Sequence, residues 1–127
     1  MQKTALIVHA ALLASLVAVT SGWSAELLQF QCMGLAHVWS GEGPMPPPVP
    51  EYAAPSPGAP VIGTAMATVV VDKPIREQNG RIRVVRPNGK TAWINRQDLT
   101  TWHVVSNPKA RCWVVQSAKG MIIPDSR

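Results

Sequence analysis

The sequence predicts a small all-β domain, a barrel or a sandwich, behind a segment that directs export. Three observations support this fold class. β-branched and alternating runs follow one another closely after residue 60. Asn-Gly pairs, at residues 79–80 and 88–89, separate these runs, and both residues of such a pair tolerate the positive φ of a hairpin turn. The only helical pattern after the leader is a weak one at residues 27–38, and 127 residues suffice for one domain.

The first 25 residues are typical of a secretory signal peptide. Lys3 supplies a positive end, residues 5–19 are almost wholly apolar, and residues 20–25 are mostly small or polar. The apolar run, about 15 residues, is shorter than the roughly 20 that a membrane span requires. We therefore expect cleavage after Ser24 or Ala25, a periplasmic or secreted protein, and no stable membrane span after processing.

Two cysteines, Cys32 and Cys112, are present in a chain routed to an oxidising compartment, which predicts one disulfide. This bond would tie the N-terminal segment, residues 26–43, to the folded domain. It would close a loop of 80 residues, worth about 4.5 kcal/mol of stability in the chain-entropy treatment. A metal-binding or catalytic thiol is the competing interpretation, but it lacks CxxC spacing and clustered histidines. We predict no metal and no cofactor.

Residues 44–60, PMPPPVPEYAAPSPGAP, contain eight prolines. Proline is disfavoured inside helices and sheets and favours extended polyproline II geometry. We interpret this segment as a semi-rigid linker outside the sheet. Its PxxP spacings leave one alternative, a ligand for an aromatic groove on this or another protein.

The segment after the linker reads as a succession of short strands. Residues 68–71 are β-branched, and a polar loop at 75–80 follows them. Alternation along residues 81–86 places the arginines on one face and Ile82 and Val84 on the other. The remaining predicted elements are a strand at 91–95, a 3-10 turn at 96–99, a strand at 102–105, and a hairpin from 111–116 and 120–123.

The segment NGKTAWI at residues 88–94, followed by Leu99, resembles the core signature of bacterial SH3-like (SH3b) domains. In that family a glycine turn leads into a strand with small residue, Trp and aliphatic residue in order, then a 3-10 turn and a last strand. Residues 63–71, the IREQNG loop and RIRVV fall where the family has its first strand, long loop and second strand. The resemblance covers residues 61–105. It implies a small SH3-like barrel of five to seven short strands, with residues 106–127 as a C-terminal hairpin extension.

The resemblance places Trp93 in a partly exposed groove, as a stacking anchor, while Ile94 points into the core. Arg83 and Arg96 are the predicted charge contacts beside it, because a guanidinium binds carboxylates and phosphates through two parallel hydrogen bonds. Two simpler interpretations stay open. Trp93 could pack under the linker or against Trp113, and the arginines could form a solvated strand face without a ligand.

The net charge of +5 favours anionic partners and is equally compatible with plain solubility. We do not expect nucleic acid as the partner of an exported protein. His37 and His103 stand apart from any nucleophile or carboxylate in a recognisable arrangement, so we predict that the protein is not an enzyme. The expected function is a non-catalytic binding module for peptide, peptidoglycan or an envelope protein. The alternative is a structural or inhibitory protein–protein interaction subunit in the periplasm.

Overall fold

The computed structural model describes residues 25–127, so the predicted signal peptide lies, up to Ser24, outside the described residues. The regular structure in this range is β-strand apart from one 3-10 turn at Arg96–Asp98, which confirms the all-β prediction. The ten strands are β1 (Phe30–Leu35), β2 (Val49–Tyr52), β3 (Val61–Ala65), β4 (Val69–Asp72), β5 (Glu77–Gln78), β6 (Arg81–Val85), β7 (Thr91–Asn95), β8 (Leu99–Thr101), β9 (Cys112–Gln116) and β10 (Ile122–Ser126).

Eight of these strands form one antiparallel sheet in the order β3-β2-β7-β6-β4-β1-β8, with β5 paired to β6. The strands β3 and β8 are the two ends of this order and do not pair with each other. The prediction of a closed barrel is therefore wrong. The strand β1, from the N-terminal segment, lies within the sheet between β4 and β8. The sheet is nevertheless strongly curved, because Ala65 of β3 and Leu99 of β8 belong to the same buried cluster.

Hydrophobic residues on both faces of the sheet are buried. Ile82, Val84 and Ile94 lie on the inner face, in the main core, as the alternating pattern predicted. Val70 and Val85 lie on the outer face, in a second cluster. Each face of the central strands is therefore covered by protein over at least part of its area.

Part of the outer face is covered by a hairpin of β9 and β10, which packs mainly on β1 and β4. Val114 of β9 is fully buried against Val70 and Val85. A disulfide joins Cys32 of β1 to Cys112 of β9, with the two Cα atoms 6.1 Å apart, which confirms the predicted pairing. The hairpin is thus fixed to the sheet by a covalent bond as well as by its buried side chains.

The strand β2 arises inside residues 44–60, the predicted linker. The prediction that this segment stays outside the sheet is wrong for β2, which pairs with both β3 and β7. The physical reason is the position of Pro50. It lies opposite Thr64 of β3, whereas β7 meets β2 at Tyr52, so the missing N–H of Pro50 costs no hydrogen bond to β7.

Local predictions differ from the structure at three other places. The weak helical pattern at 27–38 is β1, and the strand expected at 102–105 forms earlier, as β8. Both residues of the turn at 79–80 have positive φ, 51° and 73°, but at 88–89 only Gly89 does, at 81°. Asn88 instead accepts a hydrogen bond from the Lys90 N–H at 2.9 Å, through its side-chain oxygen.

Within residues 25–127, no helix is long and apolar enough to cross a membrane.

Candidate binding face

A row of paired residues crosses the outer face of the sheet. Tyr52 of β2 lies opposite Trp93 of β7, and Trp93 lies opposite Arg83 of β6. Directly paired residues of antiparallel strands project from the same face, here the face opposite to Ile94. Because the hairpin packs mainly on β1 and β4, the β2 and β7 part of this face lies beside the hairpin rather than under it. We call the two half-buried rings, Tyr52 and Trp93, the aromatic row.

One end of the aromatic row is closed by Arg81, which is only 8% exposed. Its Nε donates to Asn95 Oδ1 at 3.1 Å, and its Nη1 donates to the carbonyl oxygens of Ala54 at 3.1 Å and Ser56 at 2.8 Å. The Arg81 Cζ also lies 3.6 Å from the centroid of the Tyr52 ring, a cation–π contact. Arg81 therefore holds the loop after β2, residues 53–60, at one end of the aromatic row.

The structure brings two of the three predicted site residues together. Arg83 lies beside Trp93, and its Nε is 3.0 Å from Asp72 Oδ2. Both atoms are buried and their geometry is not that of a hydrogen bond, so the contact is an ion pair. Arg96 lies in the 3-10 turn, with its Nε 3.6 Å from Glu77 Oε1 at an exposed corner. Both arginines that the sequence predicts as charge contacts therefore already have acidic partners within the domain.

Sequence reasoning missed Tyr52 and the role of Arg81. The prolines around Tyr52 predict a linker, and residues 49–52, VPEY, show no apolar–polar alternation that would indicate the strand. Alternation along residues 81–86 predicts only that Arg81 shares a strand face with the other arginines. Its three acceptors are 14 to 27 residues away along the chain, so no local pattern pointed to them.

The other described tryptophans lie elsewhere. Trp102 donates from Nε1 to Thr68 Oγ1 at 3.1 Å. Trp113 lies on the hairpin with the Arg127 guanidinium 5.8 Å from its ring. Trp39 is exposed in the loop after β1, where its Nε1 donates to a carbonyl oxygen four residues away at 3.3 Å. Trp93 is the tryptophan that shares a sheet face with a second aromatic ring by strand pairing.

A cleft of about 370 Å³ lies at the rim of the sheet, where β3 ends and β4 begins. Residues 64–70 line one side of it, and Val84, Val85 and Ile122 contribute apolar walls. Glu51 and Arg86 also line it, with Arg86 Nε 3.4 Å from Glu51 Oε2. The cleft is therefore apolar with one ion pair at its border.

Gly63 allows Arg86 to reach Glu51, because a Cβ at position 63 would lie 2.9 Å from Arg86 Nη2. We expect Gly63→Ala to displace Arg86 from Glu51, which is 7% exposed, and to lower the free energy of unfolding by about 1 kcal/mol. Urea unfolding measures the change.

Two controls make the Gly63→Ala result specific. A Cβ at Gly58 would meet nothing within 4 Å, so Gly58→Ala should leave stability nearly unchanged. In an Arg86→Ala background the added methyl group has no guanidinium to displace, and Gly63→Ala should cost nothing. The same loss in both backgrounds would contradict the steric explanation.

Within residues 25–127, the His, Cys, Asp and Glu side chains form no group of three or more that could hold a metal ion. Comparisons of the chain with protein-family models, curated proteins and solved structures gave no match. The residues of the candidate face offer aromatic surface and hydrogen-bonding groups.

Proposed function

We propose that this chain is an exported, non-catalytic binding module with an SH3-like domain, and that it recognises peptide or cell-wall material in the envelope. The observation that carries the proposal is the aromatic row beside the area that the hairpin covers. Tyr and Trp provide large, rigid contact surfaces that lose little conformational entropy on binding. The succession of β6, β7, 3-10 turn and β8 supports the SH3-like assignment. The disulfide supports export, since such bonds persist in oxidising compartments.

The contacts of the arginines narrow the kind of ligand. Asp72 neutralises Arg83, and Arg81 is nearly buried with its donors directed at carbonyl and amide oxygens of the domain, so the surface beside the rings offers few free charged donors. Such a surface favours flat or ring-shaped uncharged groups, such as sugar rings, proline rings and peptide planes, over strongly anionic polymers. Arg96 is the predicted contact that is most free to turn to a ligand carboxylate, because its pair with Glu77 is exposed and of low energy.

The test is co-sedimentation of the mature protein with purified peptidoglycan sacculi. We expect Trp93→Ala to weaken binding about tenfold or more, since a truncated aromatic anchor typically costs about 2 kcal/mol. Trp39→Ala removes an exposed tryptophan outside the aromatic row and should leave binding unchanged. If both variants bind as well as the wild type, the aromatic row is not the site.

A further inference from the structure

The strand β3 is one edge of the eight-stranded sheet, and within residues 25–127 no strand pairs with its outer side. Thr64 lies opposite Pro50, which has no N–H, so this pair does not exchange ladder hydrogen bonds. In an antiparallel pair the backbone groups of such a residue point away from the partner strand. The N–H and C=O of Thr64 are therefore directed outward, where another strand can bind them.

The β3 edge has a bulge near its N-terminal end, where the pairing with β2 skips Ile62, but from Gly63 onward it lacks the features that commonly protect sheet edges. Proteins shield edges with charged residues, prolines, bulges or very short strands. Residues 61–71, VIGTAMATVVV, contain no charged residue and no proline. The exposed apolar side chains are Val61, Ile62 and Met66, at 55%, 43% and 77%. The opposite edge, β8, has only three residues and so offers a much shorter site.

The cleft lies at the C-terminal end of this same edge, since Thr64, Ala65 and Met66 form part of its lining. Its volume, about 370 Å³, falls in the range of small-ligand pockets, and its walls are mainly apolar. When an extended peptide adds to a sheet edge, main-chain hydrogen bonds supply affinity and pockets for alternate side chains supply specificity. Edge and cleft together provide both parts of such a site.

We propose that β3 is a docking edge for an extended, uncharged segment of a partner polypeptide, which adds as a further strand and places an apolar side chain in the cleft. A second copy of this chain fits less well. If the β3 strands of two copies paired antiparallel with Gly63 at the centre, Pro60 of the second copy would lie opposite Met66 at the cleft. The loop after β2 of that copy, which its own Arg81 holds, would lie there too. A free segment carries no such loop. The site is separate from the aromatic row and does not depend on it.

The test uses a dye-labelled probe peptide, Lys-Thr-Val-Thr-Val-Thr-Val-Thr-Lys, and the mature protein, with fluorescence anisotropy as the measurement. The same peptide, N-methylated at alternate residues, cannot complete a β ladder and should not bind. We expect Thr64→Pro, which removes an outward N–H, to weaken probe binding at least about tenfold. Thr64→Val keeps this N–H and should stay within about twofold. Trp93→Ala should leave probe binding unchanged, which separates this site from the proposed sacculus site.

A second variant guards against a folding defect in Thr64→Pro. Thr64→Lys adds a charge at the edge without changing the backbone and should also weaken probe binding about tenfold. A Kd above about 1 mM for the wild type and the probe peptide overturns the proposal. So does binding by Thr64→Pro and Thr64→Lys that equals that of the wild type. A dimer of the unliganded protein in sedimentation equilibrium that Thr64→Pro abolishes would assign the edge to a second copy and overturn the peptide occupant.

Discussion

Replacing both cysteines, Cys32→Ser with Cys112→Ser, is expected to lower the free energy of unfolding by about 4.5 kcal/mol. The bond closes a loop of 80 residues and so lowers the conformational entropy of the unfolded chain. Without the bond the unfolded chain regains this entropy and becomes more stable relative to the folded state. The folded state is also affected, because the bond fixes to the sheet the hairpin that buries Val114. A domain of this size is commonly stable by only about 5–15 kcal/mol, so the loss removes a large share of its stability.

Urea unfolding of the oxidised protein and of the double variant measures this effect, with tryptophan fluorescence as the signal. Reductant should destabilise the wild type and leave the double variant unchanged, which separates loss of the bond from side effects of the substitutions. Faster amide exchange in β9 and β10 than in β6 and β7 would show that the hairpin detaches first. Equal stability of the reduced and oxidised wild type would contradict the prediction.

Arg81→Ala is expected to lower the free energy of unfolding by about 3 kcal/mol. The substitution removes the donor for three acceptors and the cation that stacks on Tyr52. Hydrogen bonds from a charged donor are worth roughly 1.5–3 kcal/mol each, and a desolvated cation–π contact about 2 kcal/mol, but water replaces part of both once the loop moves. The loop after β2 should then detach from the sheet.

Two further variants make the Arg81 prediction specific. Arg81→Lys keeps the charge but loses the planar fork, so it should show an intermediate loss. Arg96→Ala breaks the exposed pair with Glu77 and should cost less than about 1 kcal/mol. Amide exchange in residues 53–60 reports on the loop itself. If Arg81→Ala and Arg96→Ala destabilise equally, Arg81 does not hold the loop in the way described.

The features that the sequence predicts correctly depend on neighbours along the chain or on a simple count. Alternation over two residues separates Ile82 and Val84 from the arginines of β6, and both aliphatic side chains are buried. The Asn-Gly turn at 79–80 follows from backbone freedom, since both residues have positive φ. The disulfide follows from two cysteines in a chain for which the sequence predicts export. None of these inferences requires knowing which strands meet.

Tertiary structure alone decided which distant strands became neighbours. β1 lies between β4 and β8, and β3 and β8 stay unpaired at the two ends of the sheet. β2 forms within a proline-rich segment and places Tyr52 beside Trp93, 41 positions later in the chain. The same pairing gave Arg81 its acceptors in the loop after β2. The choice among such pairings depends on how the buried faces fit and on the entropy of closing each loop, which are properties of the whole chain. The local pattern around Trp93 therefore identifies one ring of the candidate site. Only the folded sheet places the second ring, Tyr52, beside it and the loop after β2 at the end of the row.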